Sequence, residues 1–567
     1  MRVFVFILFL LPSISFAQTK DYKTYDKAVK YYKNKNYDKA IQLSLKLIQE
    51  NFDWDNPHLL LSSIYANKGE IDLSASYLLN IYDEEDPNDI EGIEEIAKLL
   101  YNNGRYDRSR YYFNKLLELD STLVNKNIDL VKDIYGRSIY KLSVEKILKN
   151  CIFATQAIKQ PVPFNAYNMG ENINSEFAEY LPTISANNNL FFITRRLEYE
   201  DGSRNEDFFI SIKTEDGTWS NTTRLDKPIN SNENEGALTL SSDGYLLVFT
   251  ACDRRNSYGG CDLYFSYKTN KWSIPYNLGE HINSKQKDTQ PCFSSDGKYL
   301  YFASNRKGGY GGLDIWKTEV GYNNYGSVSF KEPENLGPTI NTKYNEMSPF
   351  IHTDNLTLYF ASDGHIGMGN YDLFISRRSD IENEWMTPKN LGYPINTYKK
   401  ENSLIVSSDG KTAYYASDVS GFGKEDIFWF ELPENIQAEH IADFELEIIT
   451  RKAGEEVVLK NVQFDHNSYT LRTSSFIELH KLIAYLHKDN SLKISIEGHT
   501  DNVGDTEENK LLSENRAKTV YDYLLEKGVS PSQLASYSGY GENKPISNND
   551  TKNGRALNRR TSFRISH

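Results

Sequence analysis

The sequence holds four cysteines in 567 residues, no block of positive charge, and no apolar run beyond its first 17 residues long enough to span a bilayer. Each shortage excludes something. Four cysteines cannot make a disulfide-dense scaffold. Cys151 and Cys292 have no His or Cys at metal-ligand spacing and read as small buried hydrophobes. A formal charge of −14 leaves no nucleic-acid footprint and no polybasic membrane patch, so nucleic acid is not an expected partner. His281, His352 and His365 share no common spacing, and no acid, base or metal set is visible around them. No metal and no cofactor is expected.

Tyrosine and phenylalanine are plentiful, at 40 and 28, and with frequent Asn and Gly they favour strands joined by tight turns. The length calls for several domains. At the start, Arg2, an apolar run over 3–11 and Ser15-Phe16-Ala17 predict a signal peptide over residues 1–17, cleaved before Gln18. The apolar run is about half of the roughly 20 residues a spanning helix needs. No cysteine follows the cleavage position, so no lipid attachment point is expected there. The expected location is the periplasm, with no transmembrane segment after cleavage.

Residues 18–155 carry a helical pattern that repeats. Asn36-Tyr37-Asp38-Lys39-Ala40, Glu70-Ile71-Asp72-Leu73-Ser74 and Arg105-Tyr106-Asp107-Arg108-Ser109 align at steps of 34 and 35 residues. Small Ala40, Ser74 and Ser109 sit where two helices must approach, and Asn34, Gly69 and Gly104 lie near the turn between them. This stretch resembles tetratricopeptide repeats, which implies an all-α solenoid offering a surface to a peptide or partner helix.

Pro161 and Pro163 end that pattern and a second repeat begins. Ile-Asn pairs at Asn174, Asn230, Asn283, Asn341 and Asn396 are spaced 56, 53, 58 and 55 residues apart. Thirteen residues after each Asn comes a hairpin-turn signal: Asn187-Asn188, Asp243-Gly244, Asp296-Gly297, Asp354-Asn355 and Asp409-Gly410. A strand follows each turn, and a further strand opens on Asp207, Asp262, Asp314, Asp372 or Asp426. Five copies of a four-stranded unit predict an all-β five-bladed propeller over 162–433. Asn-Leu-Gly turns close three copies, at Asn277, Asn335 and Asn390, but none follows the last copy. Residues 163–170 supply that pattern ahead of the first copy, so this N-terminal strand is expected to complete the last blade. The repeats resemble the TolB-like propeller family, which implies protein binding but carries over no residues. One turn Asp per copy gives no calcium cluster of roughly six to eight oxygens. Within the second copy, Cys252 and Cys261 flank the loop 253–260 between two strands; across an antiparallel pair they could face each other, and a disulfide there would staple the loop.

A linker, 434–454, leads to an α+β pattern over 455–567. Strands are expected at 457–464, 492–497, 534–541 and 561–565, and helices at 474–488 and 508–527. Ile496-Glu497-Gly498-His499-Thr500-Asp501-Asn502-Val503-Gly504, Leu512-Ser513, Arg516-Ala517, Gly539-Tyr540-Gly541, Gly554-Arg555-Ala556 and Asn558-Arg559-Arg560 resemble the OmpA-like peptidoglycan-binding family. The resemblance implies a ligand, the diaminopimelate side chain of a peptidoglycan stem peptide, whose free end carries an ammonium and a carboxylate on one carbon. Asp501 matches the family's ligand-binding Asp and would accept from the ammonium. Arg516 matches its ligand-binding Arg and would grip the carboxylate through a charge-assisted fork. Phe464 and Asp465 fall on the family's ligand-lining loop, and Thr500, Asn509 and Leu512 are pocket neighbours. Arg555, Arg559 and Arg560 are expected to brace the last strand or to meet anionic wall or lipid groups. His499 beside Asp501 makes no triad, because no elbow motif places a nucleophile.

The whole reads as a non-enzymatic periplasmic scaffold, associated with the cell wall and outer membrane. Its C-terminal domain would hold peptidoglycan while the two repeat regions hold unidentified envelope proteins. This module order resembles that of Bacteroidota-type envelope proteins linked to type IX secretion or gliding, though a lipobox cysteine and a further small β-domain are lacking. The alternatives are a wall-targeted propeller glycan hydrolase, for which no paired carboxylates are visible, and a cell-wall sensor.

Overall fold

The computed structural model describes residues 19–566 except 52, 133–137, 186–187, 242–243, 270, 323–327, 379–383, 419–420, 439–453, 460–461, 463, 465–467, 472–474 and 490. The expected leader and most of the expected linker lie outside the described residues. No described helix is long and apolar enough to cross a membrane. The chain divides into two compact units.

One unit comprises Met1–Val162 with the segments Ile366–Asp372 and Gly392–Glu401. Its helices are Thr19–Lys33, Tyr37–Glu50, Asp55–Asn67, Ile71–Leu79, Ile90–Tyr101, Tyr106–Leu119 and Val144–Lys159, each packed on the next in sequence. Ala40, Ser74 and Ser109 are fully buried at the helix crossings. The two serines do more than stay small: Ser74 Oγ donates to the Ser62 carbonyl at 2.8 Å and Ser109 Oγ to that of Ala97 at 2.9 Å, bonding each helix to its predecessor. Backbone at left-handed φ makes the turns, at Lys35 rather than Asn34, and at Gly69 and Gly104. The region is not all-α. An antiparallel hairpin, Asn127–Lys132 with Ser138–Ser143, separates the last two helices. It buries Ile128, Leu130, Tyr140 and Leu142 at a period of two, a short alternation inside a helical stretch.

In the second unit, five antiparallel sheets follow one another. Their first strands are Ala178–Ile184, Asn234–Leu240, Asp288–Phe293, Glu346–Ile351 and Asn402–Val406. These touch in cyclic order, the fifth returning to the first. Each sheet is a meander ending in a two-residue fourth strand. For the fifth sheet that strand is Tyr167–Asn168, which pairs with Asp426–Glu431. The third sheet departs from the four-stranded unit: its strand Asp314–Tyr322 is long enough to pair with an extra strand, Val328–Phe330, as well as with Glu334–Asn335. All five hairpins between first and second strands turn on a residue of positive φ, at Asn188, Gly244, Gly297, Asn355 and Gly410.

The Ile-Asn pairs act as joints between sheets. Asn230 accepts from the Phe208 N–H and donates to the Phe208 carbonyl, both at 2.9 Å, so it satisfies a strand of the preceding sheet. Asn283 does the same with Leu263, Asn341 with Ile315 and Asn174 with Ile427. Seven residues beyond each Asn, the first strand bulges at a left-handed residue: Leu181, Ala237, Gln290, Ser348 and Ser403. The bulges of all five strands line one cavity of about 130 Å³.

The C-terminal domain contains β1 (Glu456–Leu459), α1 (Ser475–Lys488), β2 (Lys493–Gly498), α2 (Thr506–Glu526), β3 (Leu534–Gly539), α3 (Lys552–Asn558) and β4 (Thr561–Ser566). Sheet order is β1-β4-β2-β3, with β2 and β3 parallel and the other pairs antiparallel. A parallel pair needs a crossover, which α2 supplies. Leu479, Leu482, Ala517, Val520 and Leu524 from the helices meet Val457, Ile494, Ile496 and Phe563 from the strands in one core. Sequence periodicity missed α3, a helix of two turns.

Candidate functional site

The site forms where β2 runs out beneath α2. A Cβ on Gly498 would lie 2.1 Å from the Ser513 carbonyl, so only glycine lets the helix settle on the strand end. The chain then continues through buried His499 and Thr500 to Asp501. Asp505 caps α2 by accepting from the Glu507 and Glu508 N–H groups. Asn509 holds the intervening loop, its Nδ2 donating to the Val503 carbonyl at 3.2 Å and to Glu542 at 3.0 Å. Its role is thus to fix the loop that carries Asp501.

Asp501 Oδ1 accepts from the Val503 N–H at 3.1 Å, and its Oδ2 takes a charge-assisted bond from Arg559. Arg516 projects from α2, donates through Nε to the Ser468 carbonyl at 2.9 Å, and stacks its guanidinium 5.0 Å from the centre of the Phe464 ring. Burial, with the adjacent Arg559 charge, lowers its proton affinity while Asp501 opposes the change. The guanidinium still carries its charge at any working pH. Asp501, Arg516, Arg559 and Phe464 therefore share one locality. Thr500 is buried beside it, and its hydroxyl has no hydrogen-bond partner among the described residues. Leu512 is half-buried on α2. Asp465 lies outside the described residues.

Of the three arginines expected to brace the last strand or meet anionic wall or lipid groups, Arg559 bonds Asp501, a contact that sequence reasoning does not show, whereas Arg560 and Arg555 brace the fold. Arg560 donates to Glu456 at 2.8 Å, and Arg555 to the Asn549 carbonyl at 2.7 Å. His499 belongs to that same network. Glu456, Glu497 and His499 come close enough to resemble a metal-ligand set. Their carboxylates, however, already bind Arg560 and Arg564 at 2.8 Å. Burial first, then the Arg560 charge, pushes His499 down to about 4, so it is neutral, stacked on Tyr540.

The geometry defines a two-layer α/β domain with a cluster of charged side chains beyond the end of β2. Residues 463–559 match the OmpA family, and the C-terminal domain is an OmpA-family domain. Over 106 residues the chain is 36% identical to outer membrane porin F of Pseudomonas aeruginosa, covering 18% of this chain and 30% of the porin. Over 100 residues it is 35% identical to the peptidoglycan-associated lipoprotein of Buchnera aphidicola, covering 18% of this chain and 57% of the lipoprotein. The chain thus spans well under two thirds of these relatives. Among solved structures, the peptidoglycan-associated lipoprotein of Burkholderia pseudomallei matches 18% of this chain and 88% of its own, at 30% identity and a TM-score of 0.18. What the chain shares with these relatives is the OmpA-family domain, and the match leaves the residues before 463 uncovered.

Proposed function

We propose that the OmpA-family domain binds the diaminopimelate end of a peptidoglycan stem peptide, and that the chain is a noncovalent, wall-bound scaffold of the periplasm. The observation that carries this reading is the Asp501 carboxylate, set in the field of two guanidinium groups, Arg516 and Arg559. A carbon bearing both an ammonium and a carboxylate needs an anion on one side and a cation on the other. Asp501 takes the ammonium and Arg516 the carboxylate, with Phe464 stacked on the arginine to fix its plane. Arg559 neutralises Asp501 until the ammonium arrives. Thr500 adds a spare hydroxyl, Asn509 holds the loop, and Leu512 lies on the same helix as Arg516; Asp465 is kept on the family resemblance alone.

The repeat regions hold partner envelope proteins. The five sheets are read as a five-bladed, TolB-like propeller, supported by the cyclic contacts of the first strands and by the N-terminal strand in the fifth sheet. The helices are read as tetratricopeptide-like repeats, supported by the serine contacts that recur at one period. Membership of a type IX secretion or gliding assembly rests on the module order alone.

The test is co-sedimentation of the full chain with purified peptidoglycan. Loss of a charge-assisted bond is worth about 1.5–3 kcal/mol, so Asp501→Ala and Arg516→Ala should each weaken binding by roughly tenfold or more. Free diaminopimelate should compete. Undiminished sedimentation of both variants would overturn the assignment.

A further inference from the structure

One loop of the sheet repeats is already seated on helices, and it shows what its siblings fit. In Gly367-Met368-Gly369, the Met368 carbonyl accepts from the Tyr106 hydroxyl at 3.0 Å and the Gly369 carbonyl from the Tyr140 hydroxyl at 2.7 Å. The Gly367 N–H donates to Asn150 Oδ1 at 3.2 Å, and Asn150 Nδ2 in turn donates to the Tyr101 hydroxyl at 2.8 Å. Met368 is 1% exposed.

The same loop recurs with an aromatic residue in the central place: Tyr258, Tyr310 and Phe422. In all four copies the central N–H donates to the Asp in the first or second place of the next strand, at 2.7, 2.6, 2.7 and 2.6 Å in chain order. The following glycine N–H donates to the same carboxylate at 3.0–3.1 Å. One backbone shape is thus made four times. Three copies hold out a ring that is 48–55% exposed.

The helical region also contains a second seat. Tyr32 and Tyr37 stand 69 residues, two repeats, before Tyr101 and Tyr106. Ring centroids are 6.1 Å apart in the first pair and 6.0 Å in the second. Asn67 Nδ2 donates to the Tyr32 hydroxyl at 2.9 Å, as Asn150 does to Tyr101. Its Oδ1, counterpart of the atom that receives the Gly367 N–H, has no bond among the described residues. Tyr32 and Tyr37 are only half-buried, whereas Tyr101 and Tyr106 are fully covered. Two positions differ: Lys35 replaces Gly104, against which Tyr398 packs in the occupied seat, and Ile71 stands 69 residues before Tyr140, so that hydroxyl has no counterpart at the repeat step. The first seat therefore has room for the loop alone, with a cation at its rim suited to an aromatic ring.

We propose that the seat of Tyr32, Tyr37 and Asn67 receives the Gly309-Tyr310-Gly311 or Gly421-Phe422-Gly423 loop of a second copy of this chain. Seat and loop are different surfaces, so the contact is head-to-tail and builds open chains of molecules. Wall binding plays no part in the argument.

Sedimentation velocity of the full chain over a range of concentrations tests this. The sedimentation coefficient should rise with concentration, and should stop rising in the Tyr310→Ser/Phe422→Ser double variant and, separately, in Asn67→Leu. Mixing the two variants should restore pairs and nothing larger, since each keeps one working half; that restoration also shows both are folded. A chain that stays monomeric at the highest concentration, or association undiminished in both variants, would overturn the proposal.

Discussion

The sheets and the C-terminal domain use the same chemistry, arginine against carboxylate, to opposite ends. In the first three sheets a buried acid on the first strand meets an arginine: Glu179 with Arg195 at 2.6 Å, Glu235 with Arg254 at 2.7 Å, Asp288 with Arg306 at 2.6 Å. Each arginine also donates to the carbonyl of the isoleucine in an Ile-Asn pair. Arg195 further bonds Thr222 and stacks 4.3 Å from the centre of the Phe209 ring. Three of its five donors are spent on the fold. Arg516 has the same five donors and the same aromatic support, yet among the described residues it makes one hydrogen bond. Spare donors beside a carboxylate already shared with Arg559 make a site; consumed donors make a joint.

Arg195→Met tests this difference most severely. It strands the Glu179 charge in the interior, and breaking a buried pair from one side costs about 3–5 kcal/mol. Denaturant unfolding should show that loss with wall binding intact. Arg516→Met should do the reverse, abolishing wall binding with a stability change below about 1 kcal/mol. Equal destabilisation by both would erase the distinction.

The two regions also answer pH in opposite directions. Among the described residues no arginine pairs with the fourth sheet's buried acid; His365 bonds the Ile340 carbonyl instead, and burial raises Glu346 from 4.5 to about 7. Folded Glu346 keeps a proton that the unfolded chain loses above pH 4.5. Its contribution is therefore complete below that pH and disappears as pH rises through 7. His499 is depressed from 6.5 to about 4, so its contribution is present above 6.5 and lost as pH falls through 4. At 1.36 kcal/mol per unit, each shift is worth roughly 3 kcal/mol across its window. Chemical unfolding of Glu346→Gln from pH 4 to 8 should show the loss on raising pH removed, and His499→Gln the loss on lowering it. Unaltered slopes would refute both.

The outline of this comparison was legible in the sequence, but its joints were not. Asp501 and Arg516 stood out because one contiguous motif and one helix carry them. The partner of Asp501 lies 58 residues away, so no local pattern ties Arg559 to it. The Ile-Asn period announced five units, while the reason for Asn emerges only when Asn174 is found bonded to Ile427, 253 residues on. The left-handed bulges fall on Leu, Ala, Gln and Ser, none of them a residue that signals positive φ. The hairpin at 127–143 hid because two strands are too short to outweigh the helices around them.

The second sheet alone adds a covalent joint. Cys252 and Cys261 face each other in the strand register and are bonded. Closing so short a loop is worth roughly 2–3 kcal/mol by chain entropy. Cys252→Ser/Cys261→Ser should lower unfolding stability by that amount, with hydrogen-exchange protection falling first in Leu246–Cys252 and Cys261–Tyr267. No change would mean that the ladder alone holds the loop.

Arg559→Ala should produce the smallest effect and decide what the second guanidinium does. Its side chain is 47% exposed, so its attraction to Asp501 is screened and worth at most about 1 kcal/mol. If Arg559 only orients and neutralises Asp501, removing it frees the carboxylate for the ligand ammonium but leaves it less well placed. Those consequences oppose each other. Peptidoglycan affinity should then change by less than about fivefold, against tenfold or more for Arg516→Ala. A loss as large as that of Arg516→Ala would instead make Arg559 a second clamp on the ligand carboxylate, and the site would be a two-arginine fork facing one acid.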